Sequence, residues 1–137
     1  MRVLDMFAGT GAFGLEALSR GAEHVTFIDS AVSSLKLVRE NAAHMGVSER
    51  CTFVKADALQ LPKAAQAAGL IFADPPYGKQ LLEPALAAAM AAGWVDANSY
   101  ILAETATKDA IAPMPQLVLE KDWTYGQSKI TRFSLAP

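Results

Sequence analysis

The sequence predicts an α/β fold: a mostly parallel seven-stranded sheet with helices on both faces and an antiparallel hairpin at its end. Three observations carry this. Short apolar runs alternate with stretches of helical period through the first two thirds of the chain, which is the pattern of strands joined by helical crossovers. Each of the early runs ends in glycine, aspartate or proline, residues that stop a strand. The last two runs flank one turn signal and so pair with each other.

Met1 to Phe7 reads as the first strand and runs at once into Ala8-Gly9-Thr10-Gly11, followed by a helix-like stretch from Ala12 to Ser19. His24 to Ile28 is the second strand. Leu35, Val38, Ala42 and Met45 then recur at helical spacing until Gly46 ends the pattern. Cys51 to Val54 and Gly69 to Ala73 are two more strands, the latter closed by Asp74-Pro75-Pro76-Tyr77, since proline cannot donate to a sheet ladder. A helix from about Leu81 to Ala92 and a fifth strand from Ser99 to Glu104 follow. Gln116 to Thr124 and Lys129 to Leu135 flank Tyr125-Gly126 as a closing hairpin. One domain over residues 1–137 is expected, with no internal boundary or repeat.

Composition narrows the function. Apolar residues make up 52% and charged residues 19% of 137, enough to fold around a core. Twelve Lys+Arg against fourteen Asp+Glu give a formal charge of −2, so no basic footprint for nucleic acid runs over the whole sequence, and any phosphate patch is local. Cys51 is the only cysteine and there are two histidines, which excludes an internal disulfide and a zinc-type cluster. The longest apolar tract, Leu81 to Val95, is broken by Glu83, Pro84 and Gly93 and falls short of the roughly 20 residues a membrane span needs. With no secretory pattern at its start, the protein is expected in the cytoplasm, bound to neither membrane nor metal, and monomeric.

In a parallel sheet of this kind ligands bind beyond the carboxyl ends of the strands. The segments Asp5 to Gly14, Asp29, Asp57 and Asp74 to Tyr77 all fall at such ends. Gly9-Thr10-Gly11-Ala12-Phe13-Gly14 fits G-x-G-x-x-G between a strand and a helix, where glycines admit positive φ and the helix start offers unpaired amides to a negative group. Asp29, twenty positions after Gly9, suits the hydroxyls of a ribose. A nicotinamide dinucleotide or another nucleoside cofactor fits equally so far.

The charge of Asp5 tilts the choice. It sits where a pyrophosphate would lie and would repel it, but would attract the cationic amine and sulfonium of S-adenosylmethionine. Asp5 also suits a structural role, accepting from amides of the glycine loop, and both roles can hold together. Asp57, in Lys55-Ala56-Asp57-Ala58-Leu59, offers an acceptor to an adenine amine or caps the turn that follows it. The expected cofactor set is Asp5, Phe7, Gly9, Gly11, Asp29, Asp57 and Ala58.

Asp74-Pro75-Pro76-Tyr77 is the most specific feature. The prolines hold the backbone rigid and leave the Pro75 carbonyl free. If this carbonyl and the Asp74 carboxylate accept the two N–H bonds of a conjugated amine, its lone pair is turned out of the ring toward a methyl donor. Tyr77 offers a face for a splayed-out base, a contact worth about 1–3 kcal/mol. Asp74, Pro75 and Tyr77 are therefore the expected catalytic residues. His44 and Cys51 carry no such chemistry. Trp94, Trp123 and the methionines are read as core or edge packing, and Lys79, Lys108, Lys121, Lys129 and Arg132 as solvated charges.

On these residues the chain resembles the class I S-adenosylmethionine-dependent methyltransferases, with their Rossmann-like fold, and among them the RsmD-type guanine-N2 methyltransferases of small-subunit ribosomal RNA. The stretch from Arg2 to Ala22, Arg39-Glu40-Asn41, Ala56 to Leu59, Asp74 to Gly78 and Tyr125-Gly126 carry the resemblance. It implies that Asp5, Gly9 and Gly11 hold the methionine moiety, Asp29 the ribose, Asp57 the adenine, and Asp74 with Tyr77 the target guanine. Ribosomal RNA or the assembled small subunit is the implied partner. Members of that family carry a basic, partly helical segment ahead of the first strand, whereas this sequence opens on the strand itself. Adenine N6 in nucleic acid is the alternative target, and a cofactor-binding module without catalysis the alternative role.

Overall fold

A computed structural model describes residues 1–76 and 78–137. Apolar β-branched and aromatic runs form seven strands: β1 (Arg2–Met6), β2 (His24–Asp29), β3 (Cys51–Lys55), β4 (Leu70–Ala73), β5 (Tyr100–Ala106), β6 (Leu117–Tyr125) and β7 (Ser128–Leu135). They lie in one sheet in the order β3-β2-β1-β4-β5-β7-β6, the first five parallel and β7 antiparallel to both its neighbours. The chain moves outward from β1 to β3 and then returns to β4 on the other side of β1. A switch of this kind opens a crevice between the carboxyl ends of β1 and β4.

Three helices cover the sheet: α1 (Ala12–Ser19), α2 (Val32–Met45) and α3 (Leu82–Ala91). Side chains alternate along each strand, so the two faces build separate cores. Val3, Val25 and Phe27 pack with Leu15, Leu18, Leu35 and Val38 of α1 and α2. Leu4, Met6, Ile71 and Ala73 pack with Leu82, Ala85, Leu86 and Ala89 of α3 on the opposite face. The predicted helices on both faces are thus present. Pro84 is accommodated in the first turn of α3, where its missing N–H leaves no intrahelical bond unmade.

The limits of α1 are as predicted and those of the other strands and helices lie within three residues of the predicted ones, and one side chain faces the other way. Met45, expected on the apolar stripe of α2, is 44% exposed, while Leu35, Val38 and Ala42 are buried. It closes the helix beside Gly46, whose φ of 71° ends α2 in the left-handed region. The hairpin turns at Gly126 (φ 56°), with Tyr125 opposite Ser128. Trp123 is an exposed edge residue under Lys121 and Arg132, so two of the five cations taken as scattered meet over one ring. Among the described residues no helix is long and apolar enough to cross a membrane, and no group of three or more His, Cys, Asp or Glu could hold a metal.

Candidate functional site

Strand register assembles the site. Asp5 of β1 is opposite Phe27 of β2, Met6 is opposite Ala73 of β4, and Ala73 is opposite Ala103 of β5. Carrying the β1–β2 register two steps further and the other two one step puts Asp29, Phe7, Asp74 and Glu104 in one row along the carboxyl edge of the sheet. All four, with Ser30, Pro75 and Pro76, line an open cleft of about 470 Å³. The charged residues in that lining are Asp29, Asp74 and Glu104, all acidic. Phe7 turns the chain out of β1 at a φ of 57°, a left-handed conformation unusual for a residue with a Cβ.

The glycine turn is tied down from within the protein. The N–H of Gly9 donates to Asp29 Oδ2 at 2.8 Å and that of Gly14 to Asp5 Oδ2 at 3.1 Å. Gly11 N–H donates to the Ala8 carbonyl at 2.8 Å. The N–H groups of the three glycines are therefore not open to an anion: carboxylates and a carbonyl of the chain occupy them. Asp5 takes the structural role foreseen for it. A Cβ on Gly11 would lie 2.7 Å from Val38 Cγ1, and one on Gly14 would press into Phe27 and reach 2.9 Å from Val25 Cγ1. Only glycine lets the loop sit this close to α2 and β2.

Burial sets the electrostatics. Asp5 is 1% exposed, and its carboxyl is pushed up to about 7, first by burial, with the Gly14 N–H opposing and the charges of Asp74 and Asp29 adding to the rise. Asp74 is half-buried and its carboxyl is raised to about 6, by desolvation and then by Glu104. In the unfolded chain Asp5 titrates near 3.8, so between that pH and about 7 the folded protein holds a proton that the unfolded chain has lost. Stability contributed by Asp5 therefore declines as pH rises through this window. The melting temperature is expected to fall from about pH 5 to about pH 8, and to fall less in Asp5→Asn. Equal pH profiles for the two proteins in thermal denaturation would remove Asp5 as the cause.

Of the residues expected from sequence, Phe7, Asp29, Asp74 and Pro75 share the cleft, and Pro75 is buried at its wall. Asp5 in β1 and Gly9 and Gly11 in the turn after it are not among the residues that line it. Asp57 is exposed and accepts from the Leu59 N–H at 2.9 Å, the turn-capping role; Ala58 is 6% exposed within the core. Neither lines the cleft. Tyr77 lies outside the described residues. Glu104 was missed as a site residue because the sequence marks it only as the last residue of a strand; its place at a strand's carboxyl end was the available signal.

The site fits a cationic nucleoside donor better than a dinucleotide. A pyrophosphate would meet three carboxylates and find the glycine amides taken, whereas a sulfonium and an ammonium meet compensating charge. Asp29 uses one lone pair on each oxygen, for Gly9 and Ala31, and keeps acceptor capacity for ribose hydroxyls.

Switch-point sheet, antiparallel closing strand and acidic cleft together define the fold of the class I methyltransferases, whose methyl donor is S-adenosylmethionine. The family described as conserved hypothetical protein 95, that of the RsmD-type methyltransferases, matches residues 1–134, and the chain belongs to it. The ribosomal RNA small subunit methyltransferase D of Haemophilus influenzae is 31% identical over 132 residues, covering 93% of this chain and 65% of its own length. That of Escherichia coli strain K12 is 32% identical over 130 residues, covering 93% and 62%. This chain thus spans just under two thirds of the length of these relatives. The crystal structure of TrmN from Thermus thermophilus superposes with a TM-score of 0.85 at 28% identity, over 99% of this chain and 44% of that one.

Proposed function

We propose that the chain acts as one domain that transfers a methyl group from S-adenosylmethionine to the exocyclic N2 amine of a guanine in small-subunit ribosomal RNA. The observation that carries the reading is the shared cleft, in which Asp74 and Pro75 stand across from Phe7 and Asp29. The names of the Haemophilus and Escherichia relatives supply the substrate class.

S-adenosylmethionine supplies a methyl group made electrophilic by a cationic sulfur. The protein supplies orientation and charge. Asp29 holds the ribose, and Asp5 fixes the glycine turn through the Gly14 N–H. The Asp74 carboxylate and the Pro75 carbonyl accept the two N–H bonds of the target amine, which turns its lone pair toward the methyl group. The lone pair forms the N–C bond as the C–S bond breaks with its electrons left on sulfur. Positive charge passes to nitrogen, next to Asp74, and the surplus proton leaves to this carboxylate or to water. Tyr77, by sequence next to the two prolines, stacks on the base in this reading. A second cavity of about 570 Å³ also borders Pro75 and Pro76 and is lined by Lys108 together with Glu83 and Asp109.

The test is to incubate small subunits lacking their methylations with the protein and S-adenosylmethionine, and to identify the modified nucleoside by mass spectrometry. N2-methylguanosine is expected. N6-methyladenosine would favour the alternative target, and cofactor binding without any transfer would favour a binding module. For the cofactor half, Asp29→Ala is expected to weaken S-adenosylmethionine binding by about 1–3 kcal/mol, through lost hydrogen bonds to a charged acceptor. Calorimetry giving unchanged affinity would remove Asp29 from the ribose site.

A further inference from the structure

We propose that Glu104 selects the base: its carboxylate accepts the N1–H that lies beside the N2 amine of the target guanine. The inference rests on the guanine-N2 reading and gives it a determinant of base identity. The acceptor pair of Asp74 and Pro75 has none, because any conjugated amine satisfies two acceptors.

The placement follows from register. Leu70 pairs with Tyr100 and Ala73 with Ala103, all in parallel, so the residues that follow, Asp74 and Glu104, are lateral neighbours at the carboxyl edge. Both line the cleft. On its other side Glu104 is opposite Ile130 of β7, which offers no charge. Among the described residues no cation or N–H engages the Glu104 carboxylate, and its neighbour in the cleft is another carboxylate. Two half-buried acids side by side, neither with a hydrogen-bond donor among the described residues, repel each other unless a ligand brings donors to both.

Guanine brings them. Its Watson–Crick edge carries the N1–H directly beside the N2 amine, so adjacent acceptors on adjacent strands meet adjacent donors. Adenine carries an amine at N6 but a bare lone pair at N1. A carboxylate facing that lone pair is repelled and left without a partner, the situation in which a polar site rejects the wrong ligand most strongly.

The experiment uses small subunits reconstituted with guanine or 2-aminopurine at the nucleotide mapped above. 2-Aminopurine keeps the N2 amine but has an acceptor at N1. With the wild-type protein, kcat/KM is expected to be at least about 30-fold lower on 2-aminopurine than on guanine, since a site built around a donor discriminates against its absence. Glu104→Gln is expected to narrow this ratio to less than about 5-fold, because its amide can donate to the N1 acceptor while its carbonyl still accepts from guanine. Glu104→Ala should lose activity on guanine without gaining on 2-aminopurine, and both variants should keep S-adenosylmethionine affinity within a few-fold of the wild type.

Equal rates of the wild type on the two bases would overturn the assignment, whatever the variants do. So would an undiminished guanine preference in both variants with cofactor binding intact; N2-methylguanosine would still form, and the guanine-N2 reading would stand. If the wild-type product is N6-methyladenosine, or no methyl group is transferred, that reading fails and the role of Glu104 fails with it.

Discussion

Replacing Asp74 with alanine should abolish methyl transfer while leaving affinity for S-adenosylmethionine within a few-fold. The carboxylate lines the cleft just past the end of β4, and in the proposed mechanism it acts on the amine and on the charge that develops there. Positioned proton acceptors contribute about 10²–10⁴ in rate, and here the same group also orients the lone pair. The role requires the ionised form. With its carboxyl raised to about 6, Asp74 loses that form as pH falls, so kcat/KM should rise with pH through about 6 and level off above it. Glu104→Gln removes a neighbouring negative charge and should move this limb to lower pH. Single-turnover transfer and calorimetry on Asp74→Ala decide the matter: a variant that methylates at the wild-type rate ends the proposed mechanism.

The second large effect is on the fold beneath the site. Gly14→Ala adds a Cβ where Phe27 and Val25 already fill the space, at a position whose N–H holds the buried Asp5. Neither obstacle is a flexible side-chain end: Phe27 is fully buried between α1 and β2. Overpacking of this kind costs about 1–3 kcal/mol, a fall of roughly 3–10 °C in Tm for a domain of this size. Cofactor binding should fall as well, because α1 can retreat only by loosening the Asp5 contact and the turn before it. Gly21→Ala is the control. Its added Cβ meets nothing within 4 Å, so its cost is limited to backbone strain at a φ of 101°. If Gly14→Ala melts with Gly21→Ala or above it, the close packing of α1 on β2 is not what the glycine provides.

Much of this molecule is legible along the chain. Apolar runs ended by Asp29, Gly46 or Pro75 mark strands and helices because the forces that stop an element act within a few residues: a missing N–H, a permitted left-handed φ, a side chain that competes for the backbone. The same local chemistry made Asp74-Pro75-Pro76-Tyr77 conspicuous. It also left two roles open for Asp5 and for Asp57, because a carboxylate near a glycine turn suits a backbone amide and a ligand equally well. In the folded chain Asp5 holds Gly14 and Asp57 holds Leu59.

Glu104 shows where local reading stops. Thirty residues separate it from Asp74, and nothing in the chain between them says that β4 and β5 are neighbours, or in which register. Residue types and their spacing determined the order of strands and helices, the glycine turn and the acid–proline corner, since these depend on torsions and contacts close in sequence. Only the tertiary structure decided which acids share the cleft, that the N–H groups of Gly9, Gly11 and Gly14 are already engaged, and that burial lifts Asp5 and Asp74 toward neutrality. Those properties depend on distances across strands and on exclusion of water, which exist only once the sheet has closed around them.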